Sequence, residues 1–600
     1  MLSYRKLAMR VLGRPLHTGG IDSPRPASQR AAAFILTAAM LITLAAPAFA
    51  DIWHIENGDI SVKASGTKGK NTVSQGNKKD VEDTNTIITG TSDKNTVTID
   101  TSKGNVDVTF DDLNIDTSSR NKAAVSVTGE GDTNIKLDGD NHLTGGNGIY
   151  SNSSGNLTIS GDENDSLTAQ GGDSRNGIYS VSGDVTISGG TVTATGGNST
   201  GSDGSGGYGI FSTNTTTISG GTVTATGGDS TGSYSSGGSG IYSSDVAISG
   251  GSTVTANGGS GTISGGNGIC SSNSSVAISG GTVTAKGGSG EDGGYGITSN
   301  GGVTVSGGTV NAKGGNGGSL VGGYGIRSGG GLTVSDGTVT AKGGNGDSKD
   351  GYGGDGIRSG GVVTISGNTV NAAGGYGGKV GGYGICSFDR VAISGGTVEA
   401  AGGNGSTGGG SGIYSSVIDL SGSLELTAKA GSPNGKALLQ NGRELDLDTI
   451  KDKLGPGAKV TATDANGKTK QVSVPRPVEP EEPVIPEESS SSSDGGSAAP
   501  SAPASPLPGL TVTDKSGAVI SYTSTQSGNT LTVCVGRLTA SLHVSLAALR
   551  QLRAEGIETI AFQTVLCSTT LSVDELLAMG GEDAEAVLTH RFTDSSLTVG

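Results

Sequence analysis

Aromatic side chains, cysteine and histidine are scarce in this chain of 600 residues, whereas glycine is abundant. Aromatic residues make up 4% of the sequence and hydrophobic residues 32%, against 112 glycines. This composition leaves few large side chains to bury, and taken alone it is typical of flexible chain rather than of a globular core. The four cysteines exclude a disulfide-rich scaffold, and the five histidines with no CxxC pair argue against a zinc site.

A repeat contradicts the expectation of flexible chain. The pattern G-I-x-S occurs ten times, at intervals of 28 to 32 residues. A fixed period of this size is typical of a solenoid, in which each repeat buries its apolar side only against its neighbours. The isoleucines of the pattern are Ile149, Ile178, Ile210, Ile241, Ile269, Ile297, Ile326, Ile357, Ile385 and Ile413.

Within each repeat the apolar residues alternate with polar ones. Val185 with Ile187, and Val192 with Ala194, show the period of a β-strand rather than that of a helix. The equivalent positions of later repeats are mostly β-branched, and such residues pack well on a pleated surface. Gly-Gly pairs between the strands permit sharp corners. The sequence therefore predicts an all-β fold, a parallel β-helix of about ten rungs with three short strands in each rung.

The composition divides the chain into segments. The rungs need caps at both ends, because an open solenoid end exposes its core. After the second cap, a stretch rich in Pro, Glu and Ser predicts a disordered linker, and the last segment mixes strand patterns with two helix starts, after Ser545 and at the capping box Ser572-x-x-Glu575. The predicted segments are a signal peptide (1–50), an N-terminal cap with the first coils (51–145), the repeats (146–432), a C-terminal cap (433–474), the linker (475–509) and a small α+β domain (510–600).

The N-terminus predicts export. Six basic residues precede an apolar run over residues 31–46, which is followed by Pro47 and the small-x-small site Ala48-Phe49-Ala50. This pattern is typical of a secretory signal cleaved before Asp51, although an uncleaved membrane anchor remains the alternative. Cleavage removes six basic residues and one acidic residue, so the net charge changes from −16 to −21. We expect a secreted or cell-surface monomer without a membrane span after cleavage, whose acidity disfavours nucleic acid as a partner.

The cysteines are not expected to form a disulfide within the solenoid. Cys270 and Cys386 occupy the x position of G-I-x-S four repeats apart, which corresponds to roughly 19 Å along the stack. A disulfide cannot span that distance. Cys534 and Cys567 of the last segment either pair or remain reduced.

One part of the sequence resembles a known family. The stretch "VDVTFDDLNIDTSSRNKAAVSVTGEGDTNIKLDGDNHLTGGNGIYS", followed by repeats of "VTISGGTVTATGG", is similar to the carbohydrate-binding β-helix domain of secreted proteins from cellulose-degrading and gut Gram-positive bacteria. The resemblance covers about residues 80–430. It implies a right-handed β-helix that binds polysaccharide, including acidic sugars, and holds calcium. It therefore favours a non-catalytic role in adhesion to plant or host glycans.

The x position of G-I-x-S indicates where a glycan would bind. If the isoleucine points inward, alternation sends x outward, and the first four x residues are aromatic. Stacked rings form a strip against which sugar rings can lie, and arginines further along could meet a uronate carboxylate. The alternative is that the aromatic ladder only stabilises the sheet. The candidate glycan-binding residues are Tyr150, Tyr179, Phe211, Tyr242, Arg327 and Arg358.

A group of carboxylates near the N-terminal cap predicts calcium. A hard cation needs several oxygen ligands at one place, and the acidic chain would favour its binding. The alternative is a solvated acidic edge. The candidate calcium ligands are Asp111, Asp112, Asp116, Asp138 and Asp140.

Two other functions remain open. A polysaccharide-degrading β-helix, either lyase or hydrolase, needs a positioned acid and base, and in the repeats only Asp355 lies beside basic residues, Arg327 and Arg358. The alternative to a catalytic role for Asp355 and Arg358 is a solvated turn, and we expect that the protein is not an enzyme. A purely structural stalk, or an adhesin that binds protein partners, is the other alternative.

Overall fold

A computed structural model describes most of the chain. The predicted signal peptide, nearly all of the predicted linker, and Cys567 lie outside the described residues. The rest falls into two compact units, one within residues 1–479 and the other within 480–600. The described ranges are 52–475, 509–514, 518–520, 522–527, 529–535, 539–564, 568–579, 585–590 and 595–599.

The first unit is a parallel β-helix, as predicted, but it is longer than predicted. It has about fifteen turns, so the prediction of about ten rungs is wrong. The ladder of the G-I-x-S isoleucines continues through Val125, Val97 and Ile60 before Ile149, and through Leu438 after Ile413. The strands of these outer turns pair in the same register but lack the G-I-x-S pattern, so a count of that pattern in the sequence leaves them out.

Three ladders of buried side chains form the core. We call the sheet that carries the G-I-x-S isoleucines the first face. The second face carries the row that contains Ile187, and the third face carries the row that contains Val192. Nearly all members of these rows are fully buried, because each aliphatic side chain packs on its equivalent in the turns before and after it. The apolar core is thus continuous along the unit.

One corner of most glycine-rich turns contains a left-handed residue. The residue before the first threonine of the third-face segment has positive φ in these turns, as at Gly190 (77°) and Gly308 (80°). Glycine adopts this conformation without steric strain. In one of these turns the left-handed residue is Asn368 (φ 56°), and asparagine is among the few other residues that tolerate this conformation.

Another corner needs glycine because adjacent backbones come close. A Cβ atom on Gly228 would lie 2.0 Å from the carbonyl oxygen of Gly197, one turn below. On the first-face strands, the serines of G-I-x-S are buried, and most of them donate to backbone carbonyls; for example, Ser180 Oγ donates to the Gly183 oxygen at 2.7 Å. The recurring pattern therefore combines an inward isoleucine with an inward hydroxyl that in most turns pairs with a backbone carbonyl.

Antiparallel strands close both ends of the unit. At the N-terminal end, Ile60–Ala64, Asn71–Gln75 and Lys78–Asp83 form an antiparallel sheet. Buried Trp53 donates from Nε1 to Asp83 Oδ2 at 2.8 Å. At the other end, Lys459–Thr463 pairs antiparallel with Thr469–Ser473. These hairpins cover backbone edges that could otherwise pair with another chain.

Most strands of the first unit are short, but in several turns the second-face and third-face segments form one strand, and Ile385–Ala401 and Ile413–Lys429 run through all three faces. The 3-10 helices are Ile55–Asn57, Ser118–Arg120 and Leu447–Lys453. The strands are Ile52–His54, Ile60–Ala64, Asn71–Gln75, Lys78–Asp83, Thr86–Ser92, Val97–Asp100, Val106–Asp116, Val125–Gly129, Thr133–Asp138, Asp140–Gly145, Ile149–Ser153, Leu157–Ser160, Ser166–Gly171, Ile178–Ser180, Val185–Ile187, Thr191–Thr195, Ile210–Ser212, Thr215–Ile218, Thr222–Thr226, Ile241–Ser243, Asp245–Ile248, Thr253–Asn257, Ile269–Ser271, Val276–Lys286, Ile297–Ser299, Val303–Lys313, Ile326–Ser328, Leu332–Lys342, Ile357–Ser359, Val363–Ile365, Thr369–Ala373, Ile385–Ala401, Ile413–Lys429, Leu438–Gln440, Arg443–Glu444, Lys459–Thr463 and Thr469–Ser473.

The second unit contains two four-stranded sheets and two helices, α1 (Leu546–Ala554) and α2 (Val573–Met579). Helix α1 starts after Ser545, whose hydroxyl accepts from the Ala548 N–H at 3.2 Å. None of the helices in the described ranges is long and apolar enough to cross a membrane. The strands are Leu510–Thr513, Ala540–Ser545, Glu585–His590 and Ser595–Val599 in one sheet, and Thr523–Ser527, Thr530–Cys534, Thr559–Gln563 and Ser568–Ser572 in the other.

Candidate functional site

The x residues of G-I-x-S form one row along the first face. Each is the direct register partner of the next, so every turn contributes one residue to the row. Most members are half-buried, while Thr298 and Cys386 are buried. The row consists of Tyr150, Tyr179, Phe211, Tyr242, Cys270, Thr298, Arg327, Arg358, Cys386 and Tyr414.

The four aromatic residues at the start of the row are not equivalent. The rings of Phe211 and Tyr242 are parallel within 1°, with centroids 5.3 Å apart, so they overlap face to face and cover each other's surfaces. The Tyr179 ring stands at 77° to Phe211, with centroids 4.9 Å apart, and it is tilted by 50° from Tyr150. Tyr150 and Tyr179 are therefore oriented differently from the stacked pair above them.

A third ring packs on the stacked pair. The centroid of Tyr208 lies 5.3 Å from that of Phe211 and 4.9 Å from that of Tyr242. Burial raises the pKa of the Tyr208 phenol, and nearby Tyr242 and Cys270 add to the rise. Tyr208 was not among the predicted site residues. We call Tyr208, Phe211 and Tyr242 the packed cluster, because each ring centroid lies within 5.3 Å of the other two.

A groove of about 480 Å³ opens beside Tyr150 and Tyr179. Apart from Ala123, its other side chains are polar or cationic, and Lys122 and Arg175 are both exposed. No carboxylate lines the groove, and among the described residues neither cation forms an ion pair. The lining residues are Thr96, Thr98, Asn121, Lys122, Ala123, Ser126, Gly146, Asn147, Tyr150, Arg175 and Tyr179.

Arg358 is engaged within the protein rather than free for a ligand. Its Nη1 donates to Asp355 Oδ2 at 2.7 Å, and its guanidinium lies over the rings of Tyr324 (5.1 Å) and Phe388 (4.8 Å). Asp355 is buried, and its second oxygen accepts from the Tyr383 N–H at 2.7 Å. Burial raises the pKa of Asp355, while the charge of Arg358 opposes the rise. Burial also disfavours the charge of Arg358, but Asp355, Tyr324 and Cys386 together outweigh that effect and raise the arginine pKa.

Arg327 makes weaker contacts. Its guanidinium lies 5.8 Å from the ring centroid of Tyr295. Its Nη1 donates to Thr298 Oγ1 at 3.5 Å and to Asn300 Oδ1 at 3.4 Å. The two arginines occupy the same position of the G-I-R-S pattern but have different partners. Arg358 is paired with a buried carboxylate, whereas Arg327 is not paired with any carboxylate in the described residues.

A second aromatic row, missed by the sequence analysis, flanks the first. Its residues stand two places before the isoleucine, in G-Y-G-I, at Tyr208, Tyr295, Tyr324 and Tyr383. The Tyr295 and Tyr324 rings stack with centroids 5.1 Å apart. Burial raises the pKa of Tyr324 to about 12. The recurrence of G-Y-G-I was the signal that could have identified this row.

The predicted calcium ligands lie near one another but have different partners. Asp111 and Asp138 are direct register neighbours, and burial raises the pKa of Asp111, with Asp138 and Asp112 adding to the rise. Asp112 Oδ1 accepts from the Asp140 N–H, Asp140 accepts from Ser166, and Asp116 accepts from Ser118. No group of three or more His, Cys, Asp or Glu side chains within the described ranges is arranged to hold a metal ion.

The described cysteines are free thiols. Cys270 is half-buried and Cys386 is buried, and burial raises their pKa values to about 11 and about 12, respectively. Cys534 Sγ lies 3.4 Å from Gln563 Oε1. Its pairing with Cys567 stays an open prediction, because Cys567 lies outside the described residues.

No family model, curated protein or solved structure matches the chain. The resemblance to the carbohydrate-binding β-helix family therefore depends on the quoted motifs, and what the structure supports of it is the β-helix fold.

Proposed function

We propose that the mature chain is a non-catalytic, polysaccharide-binding protein, secreted or held at a bacterial surface, and that a glycan binds in the groove beside Tyr150 and Tyr179. The supporting observation is the combination of two half-buried rings with polar and cationic rims in one groove of about 480 Å³. Ligand sites are typically concave, of about 300–1,000 Å³, with aromatic walls and a few polar groups.

The chemistry of the groove suits a sugar chain. An aromatic ring offers an apolar surface to the C–H face of a sugar ring, while its hydroxyl and the neighbouring amides reach the sugar hydroxyls. Asn121 and Asn147 supply such amides at the rim. Lys122 and Arg175 favour a glycan that carries carboxylates, in agreement with the acidic sugars that the family resemblance implies.

This proposal changes which residues of the predicted strip bind. Phe211 and Tyr242 cover each other in the packed cluster, so we assign them to stability, and we assign Tyr150 and Tyr179 to binding. Arg358 is paired with Asp355 and is left out of the binding surface, whereas Arg327 remains a candidate. Calcium binding and right-handed winding stay predictions.

Tyr179→Ala and Tyr242→Ala form a matched pair of variants, because both tyrosines occupy the x position of the same row. Retention on insoluble polysaccharide should fall at least tenfold for Tyr179→Ala, with only a small change in melting temperature. Tyr242→Ala should lower the melting temperature and keep its retention. Equal retention by both variants, or loss of retention in Tyr242→Ala alone, would contradict the assignment.

A further inference from the structure

A second groove lies beside the first face, further along the β-helix. Its volume is about 330 Å³, within the range that is typical of ligand sites. Its central ring, Tyr295, lies four turns beyond Tyr179, which corresponds to roughly 19 Å along the stack. One side of the groove consists of residues two places before the G-I-x-S isoleucine, and the other side of residues five places before it. All six are half-buried: Asn267, Tyr295 and Tyr324 on the first side, and Ser264, Asp292 and Val321 on the second.

The ring of Tyr295 is covered from one side only. The Tyr324 ring is parallel to it within 7°, with centroids 5.1 Å apart, and the Arg327 guanidinium lies 5.8 Å from its centroid. Both neighbours belong to the next turn. In the preceding turn the same row carries Asn267 instead of a ring, and within the described part of the chain no other ring packs on Tyr295. One face of Tyr295 is therefore open to the groove and can accept the C–H face of a sugar ring.

Polar groups lie next to this open face. Asp292 is the register partner of Ser264, so a carboxylate and a hydroxyl belong to neighbouring turns of one row. Among the described residues Asp292 forms no ion pair, and its oxygens can accept from hydroxyl donors. Asn267 Oδ1 accepts from the Tyr295 N–H at 2.9 Å, which orients the amide and leaves Nδ2 as a donor. The groove thus offers both acceptors and donors to the hydroxyls of a sugar.

The charge of the second groove is opposite to that of the groove beside Tyr150 and Tyr179. Asp292 is the charged residue in its lining, which contains no lysine or arginine, whereas the first groove has Lys122 and Arg175 and no carboxylate. Asp292 repels an anionic sugar. A neutral sugar, in contrast, can donate its hydroxyls to the carboxylate, and a charge-assisted hydrogen bond of this kind is stronger than one between neutral groups.

We propose that the second groove binds a neutral glycan, with a sugar ring on the open face of Tyr295 and its hydroxyls on Asp292 and Asn267. The protein then has two glycan sites on one side of the β-helix, one for acidic and one for neutral sugars. This inference rests on the proposed function for the class of ligand, but it does not depend on the groove beside Tyr150 and Tyr179.

The test measures binding of the mature protein to soluble hexasaccharides by calorimetry. The neutral probes are the hexamers of glucose, mannose, galactose and xylose, and the comparison probes are the anionic hexamer of galacturonate and the cationic hexamer of glucosamine. At least one neutral hexamer should bind with an affinity that stays unchanged between about 50 and 500 mM salt, because an uncharged ligand has no Coulomb attraction to screen.

Three results would contradict the proposal, and they differ in what they leave standing. Binding of hexagalacturonate without any neutral hexamer would overturn the second site but not the proposed function. Salt-dependent binding of the glucosamine hexamer without any neutral hexamer would show that Asp292 attracts a cation instead. Absence of binding to every hexamer would contradict both the second site and the proposed function.

Variants locate the site. Tyr295→Ala and Asp292→Ala should each weaken binding of the neutral hexamer about tenfold or more, because each removes a principal contact, while Tyr295→Phe should bind as the wild type does. Tyr383→Ala is the matched control: Tyr383 stands in the same row, but its ring stacks on Tyr414 with centroids 5.0 Å apart and does not line the groove, so its loss should leave binding unchanged. Equal binding by the wild type, Tyr295→Ala and Asp292→Ala would overturn the proposal.

The two grooves can be separated in one experiment. Tyr295→Ala should keep its retention on an acidic insoluble polysaccharide, and the double variant Tyr150→Ala, Tyr179→Ala should keep its affinity for the neutral hexamer. Loss of neutral binding in that double variant with intact β-sheet circular dichroism would show that both kinds of sugar use the first groove, and would overturn the assignment of a second site.

Discussion

Removing the charge of Arg358 should destabilise the β-helix and make its stability depend on pH. Asp355 is 3% exposed, and the Arg358 side chain 29%. In Arg358→Met the Asp355 carboxylate would lose its ion pair and would accept a hydrogen bond only from the Tyr383 N–H, at 2.7 Å. Breaking a buried ion pair by removing one partner costs about 3–5 kcal/mol, and we expect the lower end because the arginine is partly solvated.

The pH dependence has a definite sign. Burial raises the pKa of Asp355, and Arg358 opposes that rise. A carboxyl with a raised folded pKa binds its proton more tightly in the native state, so its contribution is present in full below about pH 3.9 and is lost as the pH rises through the folded pKa. Without Arg358 the folded pKa rises further, so Arg358→Met should lose stability more steeply than the wild type between pH 4 and 8. Burial raises the pKa values of Tyr324 and Tyr383, which therefore stay neutral in this range.

The measurement is thermal unfolding followed by circular dichroism from pH 4 to 8, with hydrogen exchange of residues 355–385, because repeat arrays can unfold in parts. The double variant Asp355→Asn, Arg358→Met is the control and should show no steeper pH dependence than the wild type. If Arg358→Met and the wild type differ by a constant amount at every pH, the buried-pair explanation is wrong.

Three further predictions follow from the fold and the predicted sites. Cys270 and Cys386 should react with a maleimide in denaturant without prior reduction and only slowly in the native state, since burial raises their pKa values to about 11 and 12; a peptide that links them by a disulfide would refute the register. If the five N-terminal aspartates hold calcium, a chelator should lower the melting temperature at low salt, and an unchanged value would refute the site. Gly308→Ala should destabilise the protein more than Gly190→Ala. Both glycines have positive φ, which costs an alanine about 1–2 kcal/mol, but the new Cβ would lie 2.5 Å from a backbone oxygen at position 308 and 3.2 Å from one at position 190. Equal melting temperatures of the two variants would show that this crowding is unimportant.

The repeated part of the fold could be predicted because its pattern and its packing have the same period. The isoleucines at G-I-x-S stack in the register that the spacing indicates, for example Ile297 on Ile326. The outer turns could not be counted, because Ile60 and Val97 occupy the same ladder without the surrounding glycines and serine. Strand alternation alone predicts which side of the sheet a residue faces, and this was enough to place the x row.

The chemistry of that row was harder to predict than its position. Tyr179 and Tyr242 occupy the same position of the G-I-Y-S pattern, but Tyr242 packs against the rings of Tyr208 and Phe211. The orientation of each ring depends on neighbours in other turns, which the pattern does not specify. Arg358 is likewise paired because Asp355 falls in the slot that tyrosine fills in neighbouring turns. The groove forms where residues from several turns meet, and a repeat consensus does not contain that information.

The most direct test of the proposed function is a glycan array probed with the mature protein, residues 51–600, in parallel with Tyr150→Ala, Tyr179→Ala double-variant protein. We predict that the wild type binds at least one class of plant or host polysaccharide, with acidic members preferred, and that the double variant with intact β-sheet circular dichroism loses that binding. Absence of binding to every glycan, or equal binding by the wild type and the double variant, would contradict the account.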